Sequence, residues 1–147
     1  MINIKKDADN LVGYVGQLKA AGGAAAKAVK EDLPATAGIF ADQYEEWAPG
    51  AAYTARKPIQ YKGMAYQVQQ DVTALENQPP DMEGMLAIYT PYPAPNREGH
   101  YPYTYGMHVE AGMLEIDPNG KLYEAISGMA TQLNPPSELP AIFQEVP

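Results

Sequence analysis

Along residues 8–33 the apolar positions Leu11, Val15, Leu18, Gly22, Ala25 and Val29 alternate steps of four and three, which places them on one stripe of a helix. Pro34 then supplies a stop, because proline lacks an N–H and its ring clashes with the preceding turn. The stripe is narrow and made of small residues. The pair Gly22-Gly23 in its interior costs about 2 kcal/mol relative to two alanines. A helix of this kind needs a partner. Two partners fit: other copies of itself, packed through Leu11, Val15, Leu18 and Val29, or a groove on a larger protein in which it sits as a plug.

Beyond Pro34 the period changes. Short β-type runs replace the helical stripe: Ile59-Gln-Tyr61, Ala65 to Gln70, Leu114-Glu-Ile116 and Leu122 to Ile126, with final apolar pieces at Leu86-Ala-Ile-Tyr89 and Ala141-Ile-Phe143. Lys62-Gly63 and Asn119-Gly120 sit between the paired runs as hairpin signals, and Asn-Gly favours the tight type I′ turn.

These landmarks recur. The order Trp47, Gly50, Tyr53, Ile59, Gly63, Tyr66, Val68, Thr73, Pro79-Pro80, Ile88-Tyr89 is echoed by Tyr105, Gly106, Val109, Ile116, Gly120, Tyr123, Ala125, Thr131, Pro135-Pro136, Ile142-Phe143. The step from Gly to Tyr is three in both copies, and that Tyr precedes the second proline by fourteen residues in one and thirteen in the other. The expected fold is therefore mainly β: an N-terminal α-helix over 1–34, then two small three-stranded antiparallel modules in tandem. The first module spans 43–91, the second and more divergent one 105–147, and a Pro/Tyr-rich linker, 92–104, joins them. Each module is below the size at which a lone core suffices, so pairing or assembly has to supply the missing burial.

The first copy resembles the small chitin- and cellulose-binding modules of carbohydrate-binding families 5 and 12, the chitin-binding type-3-like pattern. The likeness is carried by Trp47, Tyr53, Ile59-Gln-Tyr61-Lys-Gly63-Met-Ala-Tyr66, Gln70, Thr73, Pro79-Pro80 and Tyr89. The second copy is a weaker likeness. An N-terminal helix followed by Gln43-Tyr44-Glu-Glu-Trp47-Ala-Pro-Gly50 is also similar to small phage and prophage proteins that carry such modules on tails, baseplates or heads. That resemblance implies a virion structural or decoration protein, assembled in the host cytoplasm and held by capsid, baseplate or tail proteins. The missing burial and the helix lead to the expectation of a homo-oligomer, with a trimer as the candidate, and the resemblance adds a host-surface glycan as a further partner. The other reading it leaves open is a true chitin or cell-wall polysaccharide module that targets a particle or an enzyme to glycans.

Composition narrows the chemistry. A net charge of −8 and a pI near 4.6 argue against nucleic acid, whose phosphates are held by clustered Lys and Arg. The imbalance lies after residue 34, where five basic residues face fourteen acids. No cysteine is present, which removes disulfides and thiolate zinc sites. There is no run of about 18 apolar residues, so no membrane span is expected, and the N-terminus has no apolar core of the secretory type.

Eleven tyrosines against two phenylalanines and one tryptophan make tyrosine the main large side chain. Trp47, Tyr53, Tyr66 and Tyr123, with the turn glycines Gly63 and Gly120, read as folding residues. Tyr61, Tyr89 and Phe143 are the candidates for an exposed row that would stack on sugar rings, although the loop Leu75 to Asp81 lacks the aromatic that a full platform would need. His100 and His108 have a spacing that matches no familiar ligand set, so neither metal nor cofactor is expected. No Gly-x-Ser-x-Gly elbow, phosphate loop or His-Glu-x-x-His occurs, and Glu45-Glu46 lies in a solvated turn, so the expectation is a non-enzyme.

Overall fold

The structure, a computed structural model, describes residues 32–147. The helix expected over 8–33, with Leu11, Val15, Leu18 and Val29, falls outside the described residues apart from its last positions. The described residues are mainly β. Among them, ten short strands form two four-stranded sheets and one two-stranded ribbon.

The first sheet is built around a hairpin. Strands β3 (Pro58–Tyr61) and β4 (Met64–Val68) pair antiparallel through Ile59↔Tyr66, and β6 (Tyr89–Tyr92) pairs antiparallel with β4 through Val68↔Tyr89. On the other side β1 (Glu45–Glu46) lies parallel to β3, with Glu45 opposite Ile59. A separate ribbon joins β2 (Ala52–Tyr53) to β5 (Val72–Thr73).

The second sheet repeats this plan. Strand β7 (His100–Pro102) runs parallel to β8 (Leu114–Ile116), β8 pairs antiparallel with β9 (Leu122–Ala125), and β9 with β10 (Phe143–Glu145). The counterpart of the β2–β5 ribbon is the single bridge Val109↔Met129. Even the loop hydrogen bonds correspond. The N–H of Gly50 donates to Ala74 at 2.8 Å and that of Gly106 to Gln132 at 2.7 Å; the N–H groups of Tyr89 and Phe143 donate to Met85 and Leu139, both at 2.9 Å.

Three expectations need correcting. The sheets have four strands rather than three and are not wholly antiparallel, because β1 and β7 add a parallel strand to each hairpin. Strands of two or three residues are too short to show an alternation, and β1 is two exposed glutamates. The stretch 92–104 is not only a linker, since it supplies β7, and the turn before it is held by Asn96, whose Oδ1 accepts from the N–H groups of Glu98 and His100. The counterpart of Trp47 in the repeat is accordingly Tyr103 and not Tyr105: the Trp47 N–H donates to Gln60 at 2.7 Å and the Tyr103 N–H to Ile116 at 3.1 Å.

The two hairpin turns also differ. Lys62 and Gly63 both have positive φ, 52° and 83°, as a type I′ turn requires. In the second hairpin only Gly120 does, at 90°. There Asp117 closes a longer loop, its N–H donating to Lys121 and its carbonyl accepting from Gly120, while its Oδ2 accepts from the Asn119 N–H at 2.9 Å. A type I turn with Pro118 at its second position and a bulge glycine at Gly120 takes the place of the expected tight turn.

Alternation along β4 divides the first sheet into two faces. Tyr66 and Val68 join Trp47, Tyr53, Ile59 and Tyr89 in one core, and Ala65 faces the other way, against a 3₁₀ segment, Ala35–Gln43. That segment, which holds three alanines and Gly38, comes close enough for a Cβ on Gly38 to sit 2.4 Å from the Tyr92 carbonyl oxygen. Its first residue, Ala35, belongs instead to the core of the second module, with Tyr101, Met107, Val109, Tyr123 and Phe143. The segment thus ties both modules together.

Candidate functional site

The aromatics of the first module are locked to one another. The Trp47 indole Nε1–H donates to the Tyr89 hydroxyl at 3.1 Å, and the Tyr61 ring meets Trp47 edge-on at 5.3 Å and 81°. The Tyr53 hydroxyl accepts from the Ala48 N–H at 2.8 Å. Burial pushes the Tyr53 phenol up and takes that of Tyr66 up to about 12, with Asp81 and Tyr61 adding to the latter shift. Lys62 Nζ stands 5.2 Å from the centre of the half-buried Tyr61 ring.

This arrangement bears on the row of exposed rings expected from the sequence. Tyr89 is 1% exposed and Phe143 3%, so two of the three residues expected to form an exposed row are core residues. The physical reason is their strand position: each begins the last strand of its module and pairs with the buried final residue of the hairpin's second strand, Tyr89 with Val68 and Phe143 with Ala125. Trp47, Tyr53, Tyr66 and Tyr123 are buried as well, while Gly63 and Gly120 lie in the turns.

Two features at the junction of the modules were not singled out from the sequence. The first is a stack of Tyr92 on His108, 5.3 Å between centroids at 22°. His108 Nε2 lies 3.3 Å from Glu110 Oε2, which also accepts the Ala35 N–H at 3.1 Å. His100 is elsewhere, 3.7 Å from Glu98. Among the described residues no group of three His, Asp or Glu side chains converges.

The second feature is an open cleft of about 420 Å³, lined by Gly84, Leu86 and Ala87 from the first module and Tyr105, Thr131 and Leu133 from the second. Its floor is close packed: Leu86 covers Gly106, where a Cβ would lie 2.3 Å from a Leu86 methyl. Tyr105 stands at the cleft 54% exposed. The Tyr101-Pro-Tyr103-Thr-Tyr105 run could have pointed to it, since the strand ends at Pro102: Tyr101 is buried within it, and Tyr105, beyond it, faces solvent.

No family model matches the chain, and no curated protein matches it.

Proposed function

We propose that this chain is a non-catalytic structural protein of a phage particle, a decoration or appendage subunit of tail, baseplate or head. In this reading the N-terminal segment mounts the protein on other virion proteins and assembles copies of it, and the two β modules are displayed outward. The observation that carries the reading is the repetition of one small module with its aromatics turned inward, Trp47 onto Tyr89 and Phe143 into its core. A protein whose large rings are spent on folding offers many weak surface contacts rather than one deep pocket, and such contacts gain strength when many copies share a particle.

The test is incorporation. Assembled particles purified from the producing host should contain the chain, and a Leu11→Asp/Leu18→Asp variant should be left behind. Light scattering on the purified proteins should show the wild type as an oligomer and the variant as a monomer. A chain that stays off the particle in wild-type form would end this reading.

A second reading, binding of a cell-wall polysaccharide, has the exposed Tyr105 ring at the intermodule cleft on its side. It predicts that Tyr105→Ala abolishes retention on cell-wall material, whereas Tyr89→Ala acts only through stability.

A further inference from the structure

The repeat makes an internal comparison possible. Counting outward from the shared hydrogen bonds, Glu115 of β8 occupies the place of Ile59 in β3, each opposite the tyrosine of its hairpin, Tyr123 and Tyr66. Gln132 occupies the place of Ala74 by the paired bonds from Gly106 and Gly50. The first module is apolar at both places; the second has two polar side chains there, each 0% exposed.

The pair is short of donors. Gln132 Nε2 donates to Glu115 Oε1 and to the Asn134 carbonyl, both at 3.0 Å, which uses both of its hydrogens. Turning the amide over would set its oxygen against two acceptors. Glu115 Oε2 and Gln132 Oε1 are left buried without a partner. A buried carboxylate in that state carries a charge that nothing offsets, and burying an unpaired charge is costly.

The groups around it do not help. Asp117, just past the end of β8, faces Glu115; burial disfavours its charge, but the N–H groups of Asn119 and Ser137 outweigh this and hold its carboxyl low, so it stays negative. Tyr103 feels the Glu115 charge from the segment after β7, and Tyr101 and Tyr123 lie opposite on the flanking strands. Lys121, on the hairpin, pairs with Glu145 at 3.7 Å, and Glu138 lies in the 3₁₀ turn Pro136–Glu138. Among the described residues no ion pair reaches Glu115.

We propose that Glu115 holds a proton in the folded protein below neutral pH, and that the Glu115–Gln132 pair is a built-in acid-sensing element that makes the second module, and not the first, lose stability as pH rises toward neutrality. A proton on Glu115 removes the buried charge and supplies the missing donor. The direction agrees with the surroundings: burial pushes the Glu115 carboxyl up to about 7, Asp117 pushes the same way, and the hydrogen bond from Gln132 opposes them. A folded-state value above the unfolded 4.5 means that the stabilisation is complete below 4.5, declines as pH climbs, and is gone above about 7. For one proton the folded-to-unfolded ratio should fall about 40-fold between pH 5 and pH 7.

The experiment is urea unfolding of the full chain from pH 5 to pH 8, for the wild type and for Glu115→Gln. The wild type should lose about 40-fold in folded-to-unfolded ratio relative to the variant between pH 5 and pH 7, and about 70-fold by pH 8. Infrared difference spectra of the folded wild type at pH 6 should contain a protonated-carboxyl C=O band that Glu115→Gln lacks. Should Glu115→Gln not fold, Glu115→Ile/Gln132→Ala, which copies the first module, takes its place, and the wild type should lose the same ratio relative to it. Parallel pH profiles without the carboxyl band would mean a charged Glu115 satisfied by water. Stability that follows added sodium or potassium rather than acid would mean a bound cation. Either result overturns the proposal.

Discussion

Replacing Tyr89 by phenylalanine is the sharpest test of the inward-facing aromatics. The Tyr89 hydroxyl is the acceptor for the Trp47 indole N–H at 3.1 Å, and both side chains are buried. Tyr89→Phe keeps the ring and removes the oxygen, so the indole N–H is left in the core without an acceptor. That costs about 1–3 kcal/mol. Trp47→Phe removes the donor, orphans the hydroxyl and also loses packing, so it should cost more, by a total of about 3 kcal/mol. In the double variant neither polar group remains, and the two losses should fall short of adding by roughly 1 kcal/mol or more.

The assay is urea unfolding followed by far-ultraviolet circular dichroism, because the single tryptophan is absent from two of the four proteins. Midpoints should move while slopes stay constant. An exposed ring at position 89 predicts something else: a change within about 0.5 kcal/mol for Tyr89→Phe and no coupling to Trp47. That outcome would refute the placement of Tyr89 and restore the sugar platform.

Three further outcomes are expected from the geometry. Gly38→Ala puts a Cβ 2.4 Å from the Tyr92 carbonyl oxygen and 2.6 Å from Pro93 backbone atoms; backbone cannot rotate away, so the variant should lose at least about 2 kcal/mol in denaturant unfolding. Lys62→Asn places a residue that tolerates positive φ in the type I′ turn and should stabilise by about 0.5 kcal/mol, since the ion pair it gives up, 3.9 Å to Asp81, is exposed; a lowered melting temperature would contradict the turn assignment. Spectrophotometric titration should find one phenol ionising near 12, absent in Tyr66→Phe, and because the folded value lies above 10.0, the stability it contributes is complete below 10.0 and is lost as pH rises toward 12.

How much of the fold was legible depends on how local each signal is. The β3–β4 and β8–β9 hairpins were readable because a turn glycine and flanking apolar runs act within a few residues of one another. Strands β1 and β7 were not, for each is recognised only through a parallel partner fourteen residues on, Glu45 with Ile59 and His100 with Leu114. The segment Ala35–Gln43 carries no apolar stripe, and its role rests on what lies across from it: the backbone at Tyr92 and the side chain of Glu110. Tyr89 and Phe143 show a different limit. A terminal aromatic reads the same whether it faces solvent or core, and only the pairing with β4 or β9 decides. Glu115 was hidden by its neighbour: aligning the repeat on Ile116 matched an isoleucine with an isoleucine and shifted the register by one, the step that exchanges the two faces of a strand.

The bond from Ala35 to Glu110 spans 75 residues, against fourteen for the parallel pairs that close each sheet. Closing the longer loop costs about 1.5 kcal/mol more in chain entropy. During synthesis the order is stricter still. The tying segment leaves the ribosome before either sheet, can settle on the first sheet once Tyr92 and Pro93 have been made, and must then wait until Glu110 has emerged before its amino end is fastened. At about 5–20 residues per second that interval lasts on the order of a second or more. Throughout it the nascent first module carries an open amino-terminal strap, so the first sheet has to stand for that interval without the bond that joins it to the second half.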